Sequence, residues 1–149
     1  ADPEWKKYVG EGAINANMTE DGKLYSISYS RRIIGYFYNK DMFEKAGITP
    51  AKTWDEFMSN LEALKEAGFT PIAAATGENA WTANLILGAM IGSANDEGNK
   101  LMNTMRPTNY NTPEVINALE MMKKILKDYS NPDALGSIYA NAANVFCQE

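Results

Sequence analysis

Apolar residues recur at helical spacing in two stretches of the chain. From Thr53 to Gly68 they fall at Trp54, Phe57, Leu61 and Leu64, which predicts an amphipathic helix with one buried stripe. Thr53 and Glu56 form a Thr-x-x-Glu capping box in front of it, and Gly68 ends it. From Thr112 the order Thr-Pro-Glu marks a second helix start, with a capping hydroxyl, proline at the first helical position and an acid in the first turn. Its predicted stripe is Val115, Leu119, Met122 and Leu126. A short helix is predicted over 41–46 and stopped by Gly47, an apolar helix over 81–91, and a last helix from about Ser137 with Val145 and Phe146 on its apolar side.

Between these helices the pattern changes period. Lys23 to Ile27 alternates, with Leu24, Ser26 and Ser28 on one face and Tyr25 and Ile27 on the other. Residues 33–38 are rich in β-branched and aromatic side chains, and Ile72 to Ala75 is a small-residue run. All three read as strands. Asp21-Gly22 is a tight turn, and 76–79 and 92–99 read as polar loops. Residues 1–20 are polar and carry no clear period. Strands alternating with helices predict an α/β layer structure.

Composition narrows the function more by exclusion than by assignment. The chain has 149 residues, one domain's worth, with 45% apolar and 22% charged residues. The net charge is −5, and the basic doublets Lys6-Lys7, Arg31-Arg32 and Lys123-Lys124 are scattered, so no basic face suits nucleic acid. One cysteine, Cys147, excludes an internal disulfide without deciding the compartment. There is no histidine, which removes Ser-His-Asp and Cys-His catalysis and HExxH zinc sites. The first residues lack the pattern of a signal peptide. Gly10-Glu11-Gly12 lacks the third glycine and preceding strand of a dinucleotide loop. Asn95 to Asn99 lacks the spaced ligands of a calcium loop and reads as a solvated turn. Asn17-Met18-Thr19 matches the glycosylation pattern, which is common by chance. No cofactor is expected.

Two constellations remain. Tyr29-Ser30-Arg31-Arg32 lies between two predicted strands and reads first as a surface connection. Glu78-Asn79-Ala80-Trp81 lies at the C-terminal end of a predicted strand, where α/β folds bind ligands. Trp81 is either a core anchor or a flat platform for a sugar ring, with Glu78 and Asn79 bonding hydroxyls. Glu78 paired with another acid would serve a glycosidase, but nothing in the sequence sets Asp41, Glu44 or Asp96 beside it.

The strings around Asp21 to Ile27, Gly35 to Ile48, Thr53 to Phe57 and Leu64 to Ala73 resemble family 1 of the extracellular solute-binding proteins, the group that includes maltose-binding protein. "FYNKDMFEKAGI" followed by "TWDEF" carries the resemblance most specifically, and the match runs from about residue 20 to the end. The resemblance implies a type II periplasmic-binding-protein-like α/β lobe, a mixed sheet flanked by helices, incomplete at both ends of the chain. It implies that residues 1–28 end a first lobe, that the hinge crossing follows near 28–33, and that 29–149 form part of a second lobe. It further implies non-catalytic capture of a sugar or oligosaccharide outside the cytoplasm, in the periplasm or as a cell-surface lipoprotein, and delivery to the permease of an ABC importer. Ser30, Arg31, Arg32, Glu78, Asn79 and Trp81 occupy the family's ligand-contacting stretches. Ser28 stands where the family commonly has proline, which loosens the hinge locally. Two arginines in the crossing suit an acidic sugar or pair with Glu78. A carbohydrate hydrolase using Glu78, or a structural fragment without ligand, are the alternatives. An uncovered sheet edge or apolar helix face would make the lobe self-associate or leave it marginally stable.

Overall fold

The computed structural model describes residues 3–29, 35–104 and 106–148. The chain divides into two units, 1–36 and 37–149.

The first unit opens with two short helices, α1 (Pro3–Val9) and α2 (Glu11–Ala16), where the polar residues carry no period. After α2, Asn17 ties the chain together. Its amide donates to the Ala13 carbonyl at 2.8 Å and to Ser28 Oγ at 3.0 Å, while its carbonyl accepts from Ser26 Oγ at 2.9 Å. The Asp21-Gly22 turn forms as expected, with Gly22 at φ +73° and Thr19 N–H bonded to the Lys23 carbonyl at 3.0 Å. The strand expected over 23–27 does not form. A single antiparallel bridge joins Met18 and Leu24, and Tyr25 and Ile27 stand 73% and 60% exposed. A period-2 pattern makes a strand only where a partner supplies the ladder. Of the second expected strand, Ile33 and Ile34 lie outside the described residues, and 35–38 shows no strand pairing.

The second unit is helical. α3 (Lys40–Lys45) is capped by Asn39, whose carbonyl accepts from the Asp41 and Met42 amides at 3.0 and 3.2 Å. α4 spans Trp54–Glu66. Thr53 Oγ1 accepts from Glu56 N–H at 3.2 Å, but the Glu56 carboxylate reaches back one residue further than the box predicts, to Lys52 N–H at 2.7 Å. Thr53→Ala is expected to cost about 1 kcal/mol, read from the midpoint of urea unfolding. α4 ends at Gly68 with Phe69 N–H on the Leu64 carbonyl at 3.0 Å, the six-to-one bond of a Schellman motif.

α5 (Trp81–Gly92), α6 (Asp96–Asn103) and α7 (Pro113–Asp128) complete the core with α4. α6 replaces part of the loop expected over 92–99. Asn95 caps it by accepting from Gly98 N–H at 2.8 Å and donates to Glu114 Oε1 at 3.0 Å, so the segment with a calcium loop's composition is a helix start. Leu61, Met90, Ile91, Val115, Ala118, Ile125 and Tyr129 are the buried centre, with Trp54, Phe57 and Leu87 packed against them. The α4 stripe is the one expected. The α7 stripe is met in part: Val115 is buried, Met122 packs against the core and Leu126 is half-buried, whereas Leu119 is 49% exposed and Ala118 and Ile125 are buried in its stead. Val115, Ala118, Met122 and Ile125 also recur at helical spacing, and packing against α4 and α5 selects this face over the one centred on Leu119. On α8 (Tyr139–Gln148) Ala142 is the buried residue, and Phe146 is 41% exposed.

The strand expected over 72–75 is also not formed. The run is extended and pairs at one parallel bridge, Ile72 with Ser130. A mixed sheet is therefore absent among the described residues. In its place a mixed backbone and side-chain ladder binds 72–78 to 129–139. Ile72 N–H donates to the Tyr129 carbonyl at 2.9 Å, Asn131 N–H to the Ile72 carbonyl at 3.3 Å, and Thr76 N–H to the Ala134 carbonyl at 3.0 Å. This ladder leads directly into the candidate site.

Candidate functional site

The ladder delivers two turns to one place. Gly77 N–H donates to the Ser137 carbonyl at 2.8 Å, and Gly136 N–H donates to Thr76 Oγ1 at 2.9 Å. The approach leaves no room for a side chain at 77: a Cβ there would lie 2.6 Å from the Ser137 oxygen and 2.7 Å from the Gly136 oxygen.

Beyond Gly77 the backbone turns through three consecutive left-handed residues, Glu78, Asn79 and Ala80, at φ 52°, 63° and 55°. Asparagine tolerates this region; glutamate and alanine do so at a cost on the order of 1 kcal/mol each. The 3-10 turn Glu78–Ala80 feeds α5, with Trp81 as its first residue. The turn is tied down on both sides. Ala80 N–H donates to the Gly77 carbonyl at 2.9 Å, and Thr82 Oγ1 donates to the Ala75 carbonyl. Glu78 Oε2 accepts from Tyr139 N–H at 2.9 Å, placing a carboxylate at the positive end of α8.

This arrangement brings Trp81 and Tyr139 together. Their ring centroids are 5.7 Å apart with planes inclined at 37°, and the residues remain 46% and 55% exposed. Two aromatic side chains that touch yet stay half in solvent form a surface rather than a core contact. Trp54 provides the contrast. It packs edge-on against Phe57 with centroids 5.5 Å apart, and its indole N–H donates to Ser93 Oγ at 2.9 Å. Among the described residues no group hydrogen-bonds the Asn79 side chain or the Trp81 indole N–H. Both Glu78 and Asn79 are exposed.

Of the six residues singled out in the sequence, Glu78, Asn79 and Trp81 share one turn. Ser30, Arg31 and Arg32 lie outside the described residues. Tyr139 is a site residue that the sequence pattern does not single out. It opens a helix, as Trp81 does, but Ala134-Leu135-Gly136-Ser137-Ile138 in front of it carries no polar turn that would mark it. Behind the pair lies a polar cluster that the pattern also passes over. Asn131, 3% exposed, donates to Asp133 Oδ1 at 2.6 Å, and Ser137 Oγ donates to Asp133 Oδ2 at 3.2 Å. The Asn131 amide, more than any other group, holds the Asp133 carboxyl below its ordinary pKa. Glu78 engages the Tyr139 amide, and among the described residues no second carboxylate bonds it. Among the described residues no three His, Cys, Asp or Glu groups are placed to hold a metal ion, and no helix is long and apolar enough to cross a membrane.

Residues 1–148 match the family described as bacterial extracellular solute-binding protein. A multiple sugar-binding protein of Streptococcus mutans serotype c is 33% identical over 134 residues, which cover 85% of this chain and 31% of that protein. The diacetylchitobiose binding protein NgcE of Streptomyces coelicolor is 24% identical over 105 residues, 70% of this chain and 22% of that protein. The sn-glycerol-3-phosphate-binding periplasmic protein UgpB of Rhizobium meliloti is 37% identical over 54 residues, 34% of this chain and 13% of that protein. The chain thus spans less than a third of the length of these relatives. No solved structure matches it. The family match covers nearly every residue, so the chain belongs to the bacterial extracellular solute-binding proteins, and that membership implies a periplasmic-binding-protein-like fold.

Proposed function

We propose that this chain carries part of the ligand site of a sugar-binding protein that serves an ABC importer outside the cytoplasm. The observation that carries the reading is the half-exposed Trp81–Tyr139 pair, with the Asn79 side chain and the Glu78 carboxylate on the same turn. A sugar ring offers apolar C–H faces and a rim of hydroxyls. The aromatic faces take the first, and fixed acceptors and donors take the second. The multiple sugar-binding protein and the diacetylchitobiose binding protein, by what each binds, point to the same ligand class.

In this reading residues 29–149 belong to a second lobe and 1–28 to the end of a first. Ser30, Arg31 and Arg32 add ligand contacts from the hinge crossing. Periplasmic binding proteins close about a hinge around their ligand; the sugar favours the closed state because only there does it touch both lobes. The permease then recognises the closed form. No bond is made or broken by the protein, in keeping with the engagement of Glu78 at the start of α8 rather than beside a second acid.

A thermal-shift panel of neutral and acidic mono- and oligosaccharides tests this directly. A ligand that binds only the folded state raises the melting temperature. Trp81→Ala is expected to weaken any such binding by about tenfold or more, as loss of a stacking face should. A shift of equal size in that variant, or no shift with any sugar, would remove the sugar reading.

A further inference from the structure

The ladder between 72–78 and 129–139 has one irregular rung. A parallel strand pair would continue from the Ile72–Ser130 bridge by placing the Asn131 backbone carbonyl on the Ala74 amide. Instead the chain turns at Pro132, and the Asn131 carbonyl accepts from Ala134 N–H at 3.0 Å. The Asn131 side chain fills the gap: its Oδ1 accepts from Ala74 N–H at 2.7 Å. Ala74 and Asn131 are 6% and 3% exposed, so water cannot readily replace this bond.

The orientation of the amide is in turn set from the other side. Asn131 Nδ2 donates to Asp133 Oδ1 at 2.6 Å. An amide has one acceptor end and one donor end, and a single orientation satisfies both Ala74 and Asp133. The second Asp133 oxygen accepts from Ser137 Oγ, and Ser137 supplies the carbonyl that receives Gly77 N–H. Two residues on, Tyr139 meets Glu78 and Trp81.

We propose that Asn131 and Asp133 are positioning residues for sugar recognition: they set the register of 134–139 against 74–78 and so hold the Tyr139 ring beside Trp81. Their effect on affinity rests on the sugar-binding reading. Their effect on the aromatic pair does not.

The test exploits the polarity of the pair. Asn131→Asp sets two carboxylates against each other across a 2.6 Å contact. Adding Asp133→Asn restores the bond with its direction reversed: the new amide donates to the new carboxylate and its carbonyl accepts from Ser137. Two readouts are taken, the nuclear Overhauser contact between the Trp81 and Tyr139 ring protons, and the dissociation constants for maltotriose and diacetylchitobiose. The single variant should lose the ring contact and bind about tenfold more weakly, and the double variant should recover both. Leu61→Ala, which weakens the core elsewhere, should leave the ring contact intact, so mere loss of stability does not imitate the effect. A single variant that keeps contact and affinity overturns the proposal, as does a double variant that recovers neither. If Asn131→Asp alone does not fold, a folded double variant with the ring contact supports the proposal, and one without it, or unfolded, overturns it. If the unsubstituted chain binds neither sugar, the sugar reading loses support, while the ring contact still decides the positioning role.

Discussion

Gly77→Ala is expected to lower stability by about 2–3 kcal/mol and to separate Trp81 from Tyr139. The backbone dihedrals of Gly77 are not the reason, since its φ of −71° suits any residue. The reason is space. The added methyl would meet the Ser137 and Gly136 carbonyl oxygens at 2.6 and 2.7 Å, and neither is the end of a flexible side chain that can swing aside. The two turns must move apart. That motion breaks the 2.8 Å bond from Gly77 N–H to Ser137 and strains its neighbours, including the 2.9 Å bond from Tyr139 N–H to Glu78. With Glu78 released, the left-handed run over 78–80 loses the contact that holds it, and its strain favours relaxation of the turn. Urea unfolding reads the stability change, and the Trp81–Tyr139 ring contact reads the local one. A variant of unchanged stability would show that the approach of the two turns is looser than 2.6 Å implies.

Leu61→Ala is expected to cost about 3 kcal/mol and to lower the melting temperature by roughly 6–12 °C. Leu61 is 2% exposed at the centre of the α4, α5 and α7 contact. Removing three carbons there leaves a cavity that the surrounding Met90, Ile91 and Ile125 fill only in part. The two substitutions are a matched pair. Both lower stability, but Leu61→Ala acts through the core that carries α5, and the aromatic pair at the start of that helix should survive it. Calorimetry checks the first statement. A loss below about 1 kcal/mol would mean that the methionines near Leu61, which adapt readily to irregular gaps, collapse into the space.

The helices are the legible part of this fold because their signals are local. Asn39, Thr53, Asn95 and Thr112 each bond an amide two or three residues ahead, and such caps require nothing distant. The loop expected over 92–99 hides one of them, because Asn95-Asp96-Glu97-Gly98 is polar enough to pass for a turn. The strands mislead for the opposite reason. Tyr25, Ile27 and Phe37 have the side chains of strands, but a ladder depends on a partner segment that the pattern does not name. At the site, Glu78, Asn79 and Trp81 are recognisable as a polar turn before an aromatic helix start. Tyr139 is not, since 61 residues separate it from Glu78 and only the ladder through Asn131 brings it near. Asn131 itself reads as half of an Asn-Pro chain break. Its carbonyl does turn the chain there, and its side chain carries the register onward.

The most direct measurement of the sugar-binding claim is a proton–nitrogen NMR titration of the three tryptophan indole N–H groups with maltotriose and diacetylchitobiose. Trp81 has an exposed ring and an indole N–H without a partner among the described residues, whereas the Trp54 indole is bonded to Ser93. The account predicts a saturable shift of the Trp81 resonance and a stationary Trp54 resonance. A saturable shift at Trp54 with Trp81 unmoved, or no saturable shift at any of the three, would contradict it.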